Sequence, residues 1–245
     1  DKRGKFLVKA KTLSNEILKA EKFVHLKKVK QGVIKQIYSE DKKCKINFWR
    51  KSLFKDIYVR IQVDSTAKPI RSNWVGLAYD IEPRDVYLNS GVIIHLKYPK
   101  EELEPQKLGV YFLNGHGRWT FIDNKLDTTR HSVWARVFSL EKFRLLRDDI
   151  PPEVHIIHPA PYTTIRDDTP KISFYVRDRL SGIASEEEIE IRLDGEKVIA
   201  EYDPERYNIF YQVKEPLTRG AHQVSIRVRD RSHNVTTYQT KFWVQ

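Results

Sequence analysis

The sequence predicts an all-β chain of two tandem antiparallel β-sandwich domains, and three observations carry that prediction. Short strand-like runs recur from end to end. Gly, Pro, Asn and Asp turn formers separate them. No segment keeps a helical period for three turns.

Taken in order, residues 1–20 read as a tail, or as the last strand of a preceding similar domain. Asp1-Lys2-Arg3-Gly4 followed by Lys5-Phe6-Leu7-Val8 echoes Asp230-Arg231-Ser232-His233-Asn234 followed by Lys241-Phe242-Trp243-Val244. Leu13–Ala20 reads as a short helix or a linker. Residues 21–148 form the first sandwich, with strands expected at Phe23–Leu26, Gly32–Ile37, Lys43–Phe48, Ile57–Ile61, Asn73–Tyr79, Val92–Leu96, Leu108–Phe112, Trp119–Ile122, Val133–Phe138 and Phe143–Leu146. Ile57, Val59 and Ile61 show the best alternation. Turns are expected at Glu82-Pro83, Asn89-Ser90-Gly91, Glu104-Pro105 and Asn114-Gly115-His116-Gly117. Residues 149–152, ending in Pro151-Pro152, read as a short stiff linker. Residues 153–245 form the second sandwich, with seven strands expected: Val154–Ile157, Lys171–Val176, Glu188–Leu193, Lys197–Tyr202, Ile209–Val213, His222–Arg229 and Thr236–Val244.

Composition sets the class. Of 245 residues, 40% are hydrophobic, enough for real cores. No apolar run approaches the length of a membrane helix. The chain has no methionine, begins at Asp1 and reads as a piece of a longer protein. Its single cysteine, Cys44, cannot close an internal disulfide and reads as a half-buried structural thiol in a strand. The net charge of +11 is local: residues 1–60 hold eighteen Lys or Arg against six Asp or Glu, and the remainder is close to neutral. Such a patch attracts polyanions; the alternative is a solvated, edge-blunting sheet face.

The C-terminal segment resembles a bacterial immunoglobulin-like domain. Pro170–Phe174, Asp178-Arg179-Leu180-Ser181-Gly182-Ile183, Leu193-Asp194-Gly195, Pro216-Leu217 with Gly220-Ala221-His222, and Val228-Arg229-Asp230 leading to Asn234 carry the likeness. The first sandwich resembles the ZU5-type sandwich of autoproteolysis-associated modules, through Val92–His95, Leu108–Tyr111, Arg118–Phe121, Leu126-Asp127, Val133–Val137 and Phe143–Leu146. It lacks the His-Phe-Ser or His-Leu-Ser/Thr tripeptide at which some relatives cleave themselves. The pair in this order is similar to the non-catalytic C-terminal part of extracytoplasmic bacterial proteins headed by an M23-type zinc peptidase domain. That resemblance implies a periplasmic, cell-surface or secreted location. It also implies partners among the parent protein's other domains or a cell-envelope polymer.

No catalytic, cofactor-binding or metal-binding residue is assigned from the sequence. The eight histidines, His25, His95, His116, His131, His155, His158, His222 and His233, show neither His-x-x-x-Asp nor His-x-His spacing. His155 and His158, three apart in a strand, fall on opposite faces. His116 reads as a hairpin tip. Asp178 and Asp230 each end a strand and are expected at one pole of the second sandwich, where hard oxygen ligands suit Ca²⁺; the alternative is turn capping. Asp167-Asp168 and Glu186-Glu187-Glu188 are further acidic clusters. Trp49, Trp74, Trp119, Trp134 and Trp243 are weighed as a sugar-stacking platform against a core role, and Trp119 and Trp134 are expected in the core. No phosphate-binding loop or nucleophile elbow is present. The expected function is a non-catalytic spacer or adhesive segment, with polyanion binding by the basic N-terminal sheet as the alternative. Nucleic acid is disfavoured, because Phe23, Tyr38, Phe48, Trp49 and Phe54 come with no recognition motif.

Overall fold

The computed structural model describes residues 2–11, 17–64 and 73–245. The chain divides into two units, Asp1–Arg147 and Asp148–Gln245. Its described residues are strands joined by turns and by two short 3-10 helices, Pro105–Lys107 and Glu186–Glu188. No helix among them is long and apolar enough to cross a membrane.

The first unit contains β1 (Lys2–Lys11), β2 (Ile17–Val29), β3 (Lys35–Tyr38), β4 (Cys44–Phe48), β5 (Ile57–Asp64), β6 (Trp74–Glu82), β7 (Val92–Lys97), β8 (Leu108–Leu113), β9 (Trp119–Asp123), β10 (Lys125–Asp127), β11 (Ser132–Val137) and β12 (Lys142–Arg147). They make a seven-stranded sheet, β1-β2-β5-β6-β12-β8-β9, and a five-stranded sheet, β10-β11-β7-β4-β3. Residues 1–20, expected as a tail or as the last strand of a preceding domain, contribute strands to this unit's own sheet instead. β1 pairs antiparallel with β2 from Lys2↔Leu26 to Lys11↔Ile17, and the end of β2 pairs with β5. Ile17–Ala20, expected as helix or linker, therefore lies in β2. Leu13–Glu16 lie outside the described residues.

One core closes between the two sheets. β5 contributes Ile57 and Val59, and β4 contributes Cys44, Ile46 and Phe48. From β7 come Val92, Ile94 and Leu96, and from β11 Val133, Ala135 and Val137. Period-2 alternation sends the residues between them outward. Cys44 is wholly buried rather than half-buried, and burial pushes its thiol well above the ordinary range.

On the other face of the seven-stranded sheet lies Arg144, only 1% exposed. Its guanidinium sits 3.6 Å from the Trp74 ring centroid and 5.4 Å from that of Trp119. The two rings meet edge-on at 6.5 Å. Trp119 is half-buried there, outside the inter-sheet core. Nη2 donates to the Gly76 carbonyl at 3.4 Å, while Nε and Nη1 find no partner among the described residues. Burial draws the Arg144 pKa down to about 10.

The second unit contains β13 (Glu153–His158), β14 (Thr164–Ile165), β15 (Lys171–Arg177), β16 (Ile189–Leu193), β17 (Glu196–Val198), β18 (Glu201–Asp203), β19 (Asn208–Gln212), β20 (Gly220–Arg229) and β21 (Val235–Val244). A four-stranded sheet, β13-β15-β19-β18, and a five-stranded sheet, β14-β21-β20-β16-β17, enclose a separate core that includes Ile172, Phe174, Ile191, Ile226 and Phe242. Lys197–Tyr202, expected as one strand, is two. β17 pairs with β16 in one sheet and β18 with β19 in the other, so the chain changes sheets at Ile199-Ala200. Asp194-Gly195 makes the two-residue β16–β17 turn with φ of 51° and 88°, a conformation for which Asp-Gly is the preferred pair.

Residues 148–245 produced alone are expected to unfold in one cooperative transition, and an unfolded fragment refutes a self-sufficient second unit. Arg144→Ala is expected to cost the first unit about 3 kcal/mol in urea unfolding, through lost packing and lost ring contacts. Arg144→Met is expected to cost less than half as much, because desolvation of the charge offsets much of its attraction.

Candidate functional sites

Two clusters of charged side chains stand out, one in each unit. The first covers the outer face of the five-stranded sheet in the first unit. Strand register sets it out in rows. Tyr38 pairs with Lys45, Lys45 with His95, His95 with Trp134, and Trp134 with Lys125. One step along, Lys97 pairs with Ser132, and its amide donates to the Lys43 carbonyl at 2.8 Å. The alternation that buries Cys44, Ile46, Ile94 and Leu96 sends Lys43, Lys45, His95 and Lys97 outward.

A cleft of about 350 Å³ opens over these rows. Its walls hold Lys42, Lys43, Lys45, Lys97, Arg130 and His95, with Tyr38, Thr129, His131 and Ser132 completing them, and no carboxylate among the described residues lines it. Two acids stand beside it. Asp127 accepts from the Arg130 amide and from its Nη1, both at 3.0 Å. Asp41 accepts from the Lys43 amide at 3.1 Å and from the Tyr79 hydroxyl at 2.8 Å. The lysines outnumber these acids, so the cleft is net positive. Burial, then the charge of Arg130 with a smaller push from Lys97, draws the Lys45 ammonium below its ordinary range, against the pull of Asp127. Burial and the Lys45 charge push the His95 imidazole down to about 4, so it is neutral at pH 7.

Trp134 belongs to this face. It was expected in the core on the strength of Val133 and Val137, but those residues point inward and Trp134, out of phase with them, points outward. His95 lies against its ring at 6.2 Å, and the Lys125 Nζ sits 4.8 Å from the ring centroid. The basic stretch 1–60 supplies Lys42, Lys43 and Lys45 to the cleft. Sequence reasoning missed Lys97, Arg130, His95 and Ser132, which only strand pairing brings in.

The second cluster is acidic. Asp178 and Asp230 do meet at one pole of the second unit, and Asp148 joins them. Each offers a carboxylate oxygen within 4.8 Å of the others. The Asp178 Oδ1 accepts from the Leu180 and Gly182 amides at 3.0 and 2.6 Å. Asp148 accepts from the Ser181 amide at 3.0 Å and the Ile150 amide at 3.2 Å. Asp230 accepts from the Asn234 amide and its Nδ2, both at 2.8 Å, and Nδ2 also donates to the Asp148 carbonyl at 2.9 Å. These bonds tie the turns after β15 and β20 together, which is the turn-capping arrangement. Burial, reinforced by Asp148 and Asp230 and opposed by the Gly182 amide, raises Asp178 to about 6. Burial, then the Asp148 charge, raises Asp230 as well.

The remaining candidates stand apart from both clusters. His155 and His158 lie exposed in β13, with a register shift between Ile156 and His158, and His155 stacks on Tyr175 at 5.9 Å. His116 is exposed at the β8–β9 turn, its amide bonded to the Asn114 Oδ1 at 3.0 Å. Glu188 pairs with Arg229 through two bonds of 2.6 Å. Asp167 caps its own turn through the Thr169 amide at 3.0 Å, and Asp168 accepts the Leu217 amide through its carbonyl at 2.8 Å. Trp49 and Trp243 are exposed on separate units.

No family model matches the chain, and no curated protein matches it. Among solved structures, it is similar to dimeric latent PorU from Porphyromonas gingivalis, over 99% of this chain and 19% of that one, at 10% identity and a TM-score of 0.30. The chain thus spans about a fifth of that protein's length. A likeness that loose carries no argument about fold or function.

The raised acids set a pH dependence. Carboxyls whose pKa rises on folding contribute stability that is full below their unfolded value near 4, and that is lost as pH climbs through about 6. Asp178→Asn is therefore expected to stabilise the second unit by about 1 kcal/mol at pH 7 and by progressively less toward pH 4. Thermal melts of the two proteins across that range check it. A gain that does not change with pH would show that the raised Asp178 carboxyl is not the cause.

Proposed function

We propose that this chain is a non-catalytic pair of β-sandwiches within a larger extracytoplasmic bacterial protein. It spaces or orients another domain, such as an M23-type peptidase, or holds that domain against cell-envelope material. The observation that supports the reading is that each unit closes its own core between two antiparallel sheets. A sandwich hosts many unrelated functions, so the spacing role rests on the sequence motifs quoted above. The immunoglobulin-like identity of residues 153–245 and the ZU5-like identity of residues 21–148 are part of the same proposal, carried by the sequence motifs quoted above.

Fusion to an M23-type peptidase domain tests it. The tandem sandwich is expected to speed cleavage of intact cell walls several-fold by raising local concentration, while leaving the rate on a soluble peptide unchanged. Equal rates on intact walls with and without the tandem overturn the role of holding the peptidase against the wall and leave only the spacer role.

A second reading, polyanion binding, is favoured by one observation: the carboxylate-free cleft walled by lysines in the first unit. Residues 1–147 are then expected to bind a heparin column at low salt, and residues 148–245 to flow through. Equal retention of the two fragments refutes it.

A further inference from the structure

We propose that the cleft over β4, β7 and β11 is a binding site for a tetrahedral oxyanion, the sulfate or phosphate ester of an acidic polysaccharide, held by Lys45, Lys97, Ser132 and the Nδ1–H of His95. This deepens the polyanion reading and rests on it.

Charge is the first argument. Lys45 and Lys97 stand on adjacent strands, with Lys43 opposite Lys97 and Arg130 close enough to disturb Lys45. A cleft walled by one sign of charge concentrates counter-ions. Arg130 is already committed to Asp127, so the excess rests on the lysines.

Unused donors are the second and independent argument. Ser132 is 2% exposed, lines the cleft, and its Oγ has no hydrogen-bond partner among the described residues. A buried hydroxyl left in that state costs on the order of 1–3 kcal/mol. His95 repeats the pattern. Its Nε2 lies 3.1 Å from the Asn47 Nδ2; with that amide as donor the proton sits on Nδ1, which is buried without a partner among the described residues. Serine hydroxyl and neutral imidazole N–H are both donors here. Both residues line the cleft that the lysines wall, and an acceptor carrying several oxygens and negative charge would satisfy the two buried donors once their side chains turn toward it.

Shape decides between polymers. Single-stranded nucleic acid needs open aromatic faces on which bases stack. Of the two aromatic side chains in this row, Trp134 already has Lys125 over its ring and His95 against it, which leaves Tyr38 as a single open ring where stacking successive bases needs several. The cleft offers hydrogen-bond donors and charge instead, which suits an ester group on a sugar. Its volume lies in the range of small-ligand sites.

The test is calorimetric titration of the full chain with three probes: a heparin octasaccharide, a poly(glycerol phosphate) and an oligothymidylate of matched charge. The first two distinguish sulfate from phosphate esters. Lys45→Gln/Lys97→Gln is expected to weaken the preferred ester polymer at least tenfold and to lower the salt slope of log K by about 1–2. Ser132→Ala, which removes only an unpaired hydroxyl, is expected to weaken it about threefold while the thermal melt rises rather than falls. Lys9→Gln/Lys19→Gln, on exposed lysines outside the cleft, is expected to stay within twofold of the parent. If both double variants weaken binding equally, the cleft is wrong and the broader polyanion reading stands. If no probe binds at low salt, both fail. If the oligothymidylate binds tightest and loses most on Lys45→Gln/Lys97→Gln, the ligand is nucleic acid and the assignment to a polysaccharide is overturned.

Discussion

The pairing of Lys45 with His95 and of His95 with Trp134 governs most of what the first unit displays. Successive side chains leave a strand on opposite faces, so one register fills the core and composes the surface together. Cys44, Ile46, Ile94, Leu96, Val133 and Ala135 go inward; Lys45, His95 and Trp134 are carried outward by the same step. Magnitudes show which demand wins. A fully buried aliphatic side chain contributes about 1.5–3 kcal/mol. Two like charges near 4 Å in water repel by only about 1 kcal/mol. The core therefore holds these lysines together against their repulsion, and a slip of one residue would bury them.

The protein manages crowded charge in three ways, and the contrast is informative. Arg144 is covered. Aromatic rings replace its water, at the cost of unpaired N–H groups and a depressed pKa. Asp148, Asp178 and Asp230 are tied down by backbone amides, and Asp178, raised to about 6, relieves their repulsion by holding a proton on the acid side of neutrality. The cleft lysines have neither remedy. Rings do not enclose them, and an ammonium does not shed its proton near neutral pH unless deeply buried. Water and the neighbouring Asp41 and Asp127 screen them in part, and a bound counter-anion would add to that relief.

The fold class was legible because each unit alternates apolar and polar residues between turn formers, as in Ile57-Tyr58-Val59 and at Asp194-Gly195. What depends on non-local pairing was not. β10 is too short to read, and Lys197–Tyr202 looks like one strand because nothing local marks the switch of sheets at Ile199-Ala200. The N-terminal residues read as a tail because an edge hairpin such as β1–β2 carries polar residues at positions that a core strand fills with apolar ones. For the acidic pole, Asp178 and Asp230 were readable from their turn positions, while Asp148 looked like linker. For the cleft, the basic stretch 1–60 pointed to Lys42, Lys43 and Lys45 but could not reach Lys97, Arg130 or Ser132. Trp134 shows the limit best: the run Val133–Val137 displays alternation, but the sequence does not say which phase faces the core, and one residue of phase exchanges core for surface.

How the cleft is built bears on how it would work. Lys45, His95 and Lys97 stand on β4 and β7, which pair with each other in the middle of the five-stranded sheet, so their Cα positions are fixed by ladder hydrogen bonds on both sides. Sites on such elements hold their geometry better than sites on loops. The turn between β10 and β11 adds Arg130, and Asp127 pins it by both its amide and its guanidinium. Asn47 sets the His95 ring through Nε2. What remains loose is the lysine side chains, each of which gives up rotamer freedom worth about 0.5–1.5 kcal/mol when it closes on a ligand. The fixed donors, Ser132 and His95, bear no such cost. Specific placement of an oxyanion therefore falls to these two neutral groups, while the lysines supply attraction and its dependence on salt.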